Sequence, residues 1–335
     1  MPLRTWLSAG RPAFAGVLVG LALAQVLVMV YAGVLWRLQP GATHSVAEDA
    51  FNYLAAGERL NAGHRLYSLG VGDRPVAVEP AIYTAPLVSP PPIAVLWRPL
   101  AVFGEPAVWA WWATAAAAVA LSVIVVLARA PVLGSLLVWV SAYGIGDQIA
   151  AGNVAAFFAP AVLIIWVKRD RPWIGAVIAL MASFKLTPIL LVAWLMGTRR
   201  WRAVAWLAAA LTAIGAISLF LAGPSSFLDY LGVMRSTQPS TWSIASMSGI
   251  PWLNYALLVV FGLVAAAAGR RDGGSFAVAV AAFTLFTPAF YPAAMVTVPC
   301  LAAAILSEFS IKDGWWTRDR PIPARSAEAR WAVGS

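Results

Sequence analysis

The chain has 335 residues, of which 61% are apolar and only 11% charged. Soluble domains run at about 45–50% apolar and about 25% charged, which excludes an ordinary soluble enzyme, and a disordered chain is excluded because such chains are polar. The single cysteine, Cys300, rules out an internal disulfide, and two histidines are too few for a His-based metal cluster. The composition predicts an all-α polytopic membrane protein.

Runs without charge define the expected spans. Residues 12–36, 106–128, 130–146, 148–167, 203–228, 236–269 and 273–307 contain none. A helix needs about 20 apolar residues to cross a bilayer core. The first run follows Arg4 and Arg11, and Ala22-Leu23-Ala24 imitates a signal-peptide cleavage site. Its apolar stretch continues to Trp36, too long for a typical signal core, so it is predicted to stay as a first span.

Basic clusters then orient the spans. Lys168-Arg169-Asp170-Arg171, Arg199-Arg200-Trp201-Arg202 and Arg270-Arg271 are short connections, and the positive-inside rule assigns them to the cytoplasm. Only 27 residues, 172–198, separate the first two clusters, so two short helices meeting near Lys185-Leu186-Thr187-Pro188 are predicted. The 35-residue run 273–307 likewise predicts two helices turning near Thr287 to Pro292. Parity then puts the Asp147–Asn153 turn outside, and residues 89–103, with Pro90-Pro91-Pro92 and Arg98, lie at the outer surface. The count is about ten crossings, with both termini inside. Residues 1–310 form one transmembrane domain, and 311–335 a basic cytoplasmic tail. Sixteen of the 23 basic residues fall on the cytoplasmic side, so the net charge of +9 follows from topology without a nucleic-acid partner.

Two outer loops, 38–104 and 223–250, exceed connector length. The first carries a juxtamembrane helix signal from Ser45 to about Leu60. Ser45-Val46-Ala47-Glu48 has the capping-box form, and Val46, Phe51, Leu54 and Leu60 are expected on the membrane interface. The abundant Trp and Tyr are expected mostly in interfacial belts.

Polar residues gather at the outer ends of the predicted helices. Glu48, Asp49, Asn52 and Tyr53 lie on the outer-loop helix, Asp147, Gln148 and Asn153 on one turn, Lys185 and Thr187 on a second and Tyr291 on a third. Arg65 and Arg235 lie in the outer loops. Ionisable groups within membrane segments are costly and usually face a cavity or a partner, so one outward polar cavity is predicted. Glu48 also fits a capping role and Asp49 a favourable place at a helix N-terminus. Asp49, Asn52 and Tyr53, however, share one helix face. Lys185 either snorkels outward or holds an anion beside the helix beginning at Pro188. His44 and His64 read as interfacial polar residues.

The sequence contains no Walker loop, HExxH or GxSxG, and no Asp-x-Asp pair of the kind that holds a nucleotide-sugar through a divalent metal. A lone carboxylate suffices as a general base for one hydroxyl. Carboxylate and lysine together point to an anionic, lipid-borne substrate, and no metal or other cofactor is expected.

These residues resemble glycosyltransferase family 87, polyprenyl-phosphate-sugar-dependent enzymes of the GT-C superfamily, from about residue 45 to about residue 300. The resemblance rests on Glu48-Asp49 with Phe51-Asn52-Tyr53 and Gly63-His64-Arg65-Leu66-Tyr67, then on Tyr83 through Pro90-Pro91-Pro92 to Arg98-Pro99-Leu100. Gly152-Asn153 and Phe184-Lys185-Leu186-Thr187-Pro188, followed by Arg199-Arg200-Trp201-Arg202, continue it. The chain departs from the characterised mannosyl members in having no His near 287–291. The resemblance implies a GT-C-like bundle with Asp49 as catalytic base and Lys185 on the lipid phosphate. It implies a polyprenyl-phosphate-mannose donor and inversion without metal.

The expected function is transfer of a sugar to the hydroxyl of a lipid or glycan acceptor at the outer face of a bacterial inner membrane. Asp49 is the expected base. Lys185, with Arg65 or Arg235, would hold the donor phosphate, and Glu48, Asn52, Tyr53, Gln148, Asn153 and Tyr291 would bind substrate. A carrier of lipid-linked sugar would need Lys185 but not Asp49, and a non-catalytic subunit would need neither.

Overall fold

The computed structural model describes residues 12–39, 45–67, 76–78, 81–83, 87, 89–236, 243–287 and 292–308. The helices begin with α1 (Pro12–Arg37) and α2 (Glu48–Asn61). A short antiparallel pair, β1 (Val76–Val78) and β2 (Ala81–Tyr83), follows. Next come α3 (Pro91–Leu100), α4 (Glu105–Arg129), α5 (Pro131–Ala151), α6 (Phe158–Val167) and α7 (Ile174–Phe184). The remainder are α8 (Leu191–Gly197), α9 (Trp201–Ser236), α10 (Ile244–Ser248), α11 (Leu253–Ala267), α12 (Asp272–Leu285) and α13 (Leu301–Glu308).

Among the described residues, α1, α4, α5 and α9 hold the four stretches long and apolar enough to cross a membrane. The 25 residues of α4 rise about 38 Å at 1.5 Å each. Large apolar side chains stay on the outside of these helices, such as Leu27 at 69% and Phe220 at 87% exposure. In water that surface would be a liability, whereas lipid solvates it. Helix α5 is the most enclosed of the four. At Gly146 a Cβ would come within 2.6 Å of the Met29 backbone, so α1 and α5 touch main chain to main chain. Small residues permit such approach between membrane helices, whose association rests on packing.

The broken helices follow the sequence. Helix α7 stops at Phe184, Lys185 is extended (φ −145°, ψ 127°), and a 3-10 turn at Thr187–Leu190 leads into α8. Pro188 has no N–H to donate to the Phe184 carbonyl, which favours the break at Lys185. Helix α12 likewise ends at Leu285, and a 3-10 segment, Pro292–Cys300, enters α13.

Five expectations are corrected. Helix α2 starts at Glu48, its N-cap is Ala47 in the left-handed region (φ 58°, ψ 25°), and the buried Ser45 Oγ has no partner among the described residues, so there is no capping box. Leu54 and Leu60 are buried against protein rather than resting on a membrane surface. Gly57 allows this: a Cβ there would sit 2.7 Å from the Trp97 carbonyl oxygen, so α2 presses directly on α3. Residues 224–236 are helical: α9 is two helices joined at a kink, the first ending at the non-helical Gly223 (φ 77°, ψ 156°) and the second opening with Pro224. Asp147 and Gln148 belong to α5, whose C-cap is the left-handed Gly152 (φ 66°), and not to the turn. Finally, Trp97, Trp166 and Trp194 are fully buried, so part of the tryptophan content forms the core. The tail expected at 311–335 lies outside the described residues.

Asp272, at the start of α12, ties the connection before α7 to α8 and to the connection after α8. Asp272 Oδ1 accepts from Trp194 Nε1 and Arg200 Nη1, each at 2.8 Å, and its Oδ2 accepts from Arg200 Nη2 at 2.8 Å. Arg169 Nε lies 3.3 Å from the same oxygen. The two guanidinium groups stack on Trp194 and Trp166, 4.9 and 4.5 Å from the ring centres. Lys185 is at the other end of α7, whose 11 residues span about 16 Å.

Candidate active site

Asp49 occupies the first turn of α2, where a carboxylate meets the positive end of the helix dipole. The turn after α5 supplies its partner. Gly152 takes the left-handed conformation that ends the helix, and Asn153 caps the following 3-10 turn by accepting from Ala155 N–H at 2.8 Å with its Oδ1. This leaves Asn153 Nδ2 free to donate to Asp49 Oδ2 at 2.7 Å. Two further bonds hold the turn: Gln148 Nε2 donates to Asn153 O at 2.8 Å and Trp111 Nε1 to Gly152 O at 2.9 Å. The Ala47 N–H donates to Ala150 O at 2.8 Å, tying the start of α2 to the end of α5.

Helix α2 is not among the segments apolar enough to cross a membrane. Burial raises the Asp49 pKa from 3.8 to about 6, with Glu48 and Asp147 pushing the same way. The Asn153 hydrogen bond and the charge of Lys185 oppose the rise. A carboxylate poised near 6 is mostly ionised at neutral pH, yet basic enough to take a proton. Lys185 is half-buried at the end of α7 and forms no ion pair with a described residue, while its charge reaches Asp49.

A residue missed in the sequence joins this group. Arg37, at the last turn of α1, is 4% exposed; its Nη2 lies 2.7 Å from Asp147 Oδ1 and 3.7 Å from Glu48 Oε1. Its only mark in the sequence is its place directly after the uncharged run 12–36.

The other predicted residues divide. Glu48 is a buried partner of Arg37 and Asp147 a helix residue paired with the same guanidinium, not a solvated turn group. Tyr53 is 1% exposed; it packs on Trp97 and Trp111, with its hydroxyl 3.4 Å from Val154 N–H. That makes it part of the floor beneath Asp49. Gln148 is fully buried and its Oε1 has no partner among the described residues. Asn52 is half-buried on the Asp49 face of α2. Arg65 is 67% exposed and paired to Asp229 at 2.6 Å, and Arg235 is exposed near the end of α9. Tyr291 lies outside the described residues. A cavity of about 450 Å³ lined by Gly197, Thr198, Arg199, Ala267 and Gly269 holds none of the predicted site residues.

The class is therefore a helical membrane protein with a half-buried carboxylate held by an asparagine and faced by a lysine. A family model described as Glycosyltransferase family 87 matches residues 88–288, more than half of the chain, and the chain belongs to that family of membrane glycosyltransferases. The matched stretch includes Asp147, Gln148, Asn153 and Lys185, while Arg37, Glu48 and Asp49 precede it. No curated protein and no solved structure matches the chain.

Proposed function

We propose that this glycosyltransferase moves one sugar, mannose, from a polyprenyl-phosphate donor to an acceptor hydroxyl at the outer face of a bacterial inner membrane. Asp49 takes the proton of the acceptor hydroxyl as its oxygen bonds to the anomeric carbon. The bond from that carbon to the phosphate oxygen breaks, and the polyprenyl phosphate leaves with the electron pair. Attack opposite the leaving group inverts the centre. The Lys185 ammonium offsets the charge that gathers on the phosphate, which lowers the barrier to departure, so no step calls for a metal ion. Arg65 would first have to leave Asp229 to assist.

The observation that carries this reading is Asp49 itself. Asn153 holds one of its oxygens at 2.7 Å, burial lifts its pKa to about 6, and Lys185, without an ion pair among the described residues, stands within electrostatic reach. A carrier would have no use for that tuning. The outer-face orientation, cytoplasmic termini and ten crossings are supported by the basic clusters at 168–171, 199–202 and 270–271.

The test uses protein in nanodiscs with radiolabelled polyprenyl-phosphate-mannose and a lipid extract as acceptor. Wild type is expected to move label to a new lipid and Asp49→Asn to bind donor without transferring it. Transfer by both would remove Asp49 from the mechanism. Binding without transfer by either, with every donor sugar tried, would favour the carrier.

A further inference from the structure

The best-anchored side chain near Asp49 has no part in the chemistry above. The Arg37 guanidinium meets three elements. Its Nη1 donates to Gly33 O at 3.4 Å, capping the C-terminal end of its own helix. Its Nη2 donates to Asp147 Oδ1 of α5 at 2.7 Å and lies 3.7 Å from Glu48 Oε1 at the start of α2. Its flat face lies 5.6 Å from the Trp36 ring centre. Such a group cannot swing out to meet a substrate, but it can hold α2 in register with α5.

We propose that Arg37 is a positioning residue for the transfer reaction: its guanidinium fixes the first turn of α2 against α5 and neutralises Glu48 and Asp147, which leaves Asp49 as the carboxylate that receives the acceptor proton. The proposal rests on the reading of Asp49 as the base.

Charge counting shows why the cation is needed. Asp49 is faced by Glu48 on its own helix, Asp147 from α5 and Lys185 from the end of α7, with the neutral Asn153 and Tyr53 beside it, and Arg37 from α1 acts on it through its pairs with Glu48 and Asp147. Among the described residues, with all three acids ionised, the two cations leave one net negative charge, which is Asp49 itself. Without Arg37 the same set carries two. Asp49 then holds a proton more tightly, so transfer requires a higher pH. Removing the charge of Asp147 at the same time restores the balance.

The experiment measures the transfer rate of the full chain in nanodiscs against pH, at saturating polyprenyl-phosphate-mannose, for wild type, Arg37→Gln, Asp147→Asn, the double variant and Asp49→Asn. In Arg37→Gln the acid limb is expected to move up by about one pH unit, so the rate below that limb falls about tenfold, with donor KM unchanged. The double variant is expected to return the limb toward wild type, and Asp147→Asn alone to move it down. A purely structural role predicts instead that the double variant is at least as impaired as Arg37→Gln, with no movement of the limb. That result would overturn the proposal, as would an unchanged limb in Asp147→Asn if Arg37→Gln cannot be purified. Full activity in Asp49→Asn would overturn the base assignment as well; an inactive Asp49→Asn beside an unmoved Arg37→Gln profile would remove only the Arg37 role.

Discussion

The connections before and after α7 adjoin two polar clusters of similar composition and different completeness: Arg169, before the helix, belongs to the Asp272 cluster, and Lys185, after it, to the Asp49 cluster. In the Asp272 cluster the carboxylate receives hydrogen bonds from Arg200 and Trp194, with Arg169 against its second oxygen and both guanidinium planes on tryptophan rings. The Asp49 cluster is only partly matched. Asp49 receives one side-chain hydrogen bond, Lys185 has no ion pair with a described residue, and Arg37 Nε and Gln148 Oε1 are buried without partners among the described residues. A cluster whose carboxylate is fully matched holds helices together and offers no acid or base to a substrate, even though Trp166 Nε1 there is buried without a partner among the described residues. One with unfilled valences costs stability and keeps groups available for binding and proton transfer.

The largest expected effect breaks this comparison in function. Asp49→Asn should lower transfer by about 10²–10⁴-fold, the usual worth of a general base, with no loss in unfolding midpoint. Asp272→Asn should do the reverse. It removes the charge that accepts three hydrogen bonds and should cost on the order of 2–3 kcal/mol, read as a lower midpoint in detergent, while folded protein keeps its specific activity.

Lys185→Ala should weaken donor binding by about ten- to a hundredfold, as expected for loss of a charge-assisted hydrogen bond, and Lys185→Arg should recover part of it. Equal donor affinity in wild type and Lys185→Ala would end the phosphate role.

The pH dependence of stability sharpens the contrast further. Asp49 has a folded pKa raised from 3.8 to about 6. The protonated form is therefore favoured by folding, and that contribution is complete below about 3.8 and lost as pH rises through about 6. Asp49→Asn should thus unfold at a higher temperature than wild type at pH 7.5, with the gap closing by pH 4. Transfer activity should rise through the same interval as Asp49 ionises.

The smallest effect is expected at Arg65. Its pair with Asp229 is largely exposed, and such pairs contribute about 0–1 kcal/mol. Arg65→Ala should leave the unfolding midpoint within a degree or two, and a large rise in donor KM would show that Arg65 leaves Asp229 for the donor.

Much of this architecture is legible along the chain, because a bilayer punishes charge and backbone breaks at every position. The uncharged runs mark α1, α4 and α9, and Pro188 with Lys185 marks the break between α7 and α8. Asp49, Asn153 and Lys185 stand out as polar groups in apolar surroundings, and the structure gathers them at one end of the molecule. Where the reading fails, a distant partner has overridden a local signal. Ser45 to Glu48 has the spacing of a capping box, yet the Glu48 carboxylate faces Arg37 instead. Asp147 follows the uncharged run like a turn residue, but Gly152 ends that helix and Asp147 is drawn inside by the same arginine.

The sequence by itself determined the membrane character, the places where helices break and the residue types available for chemistry. Those follow from solvation and backbone sterics, which act within a helix or two. Only the tertiary structure decided which charges meet. The Arg37 and Asp147 pair joins residues 110 positions apart, and the Asp49 and Asn153 bond joins residues 104 apart. An ion pair depends on a few ångströms of separation that no local pattern encodes, so Arg37 came into view only once α1, α2 and α5 were packed together.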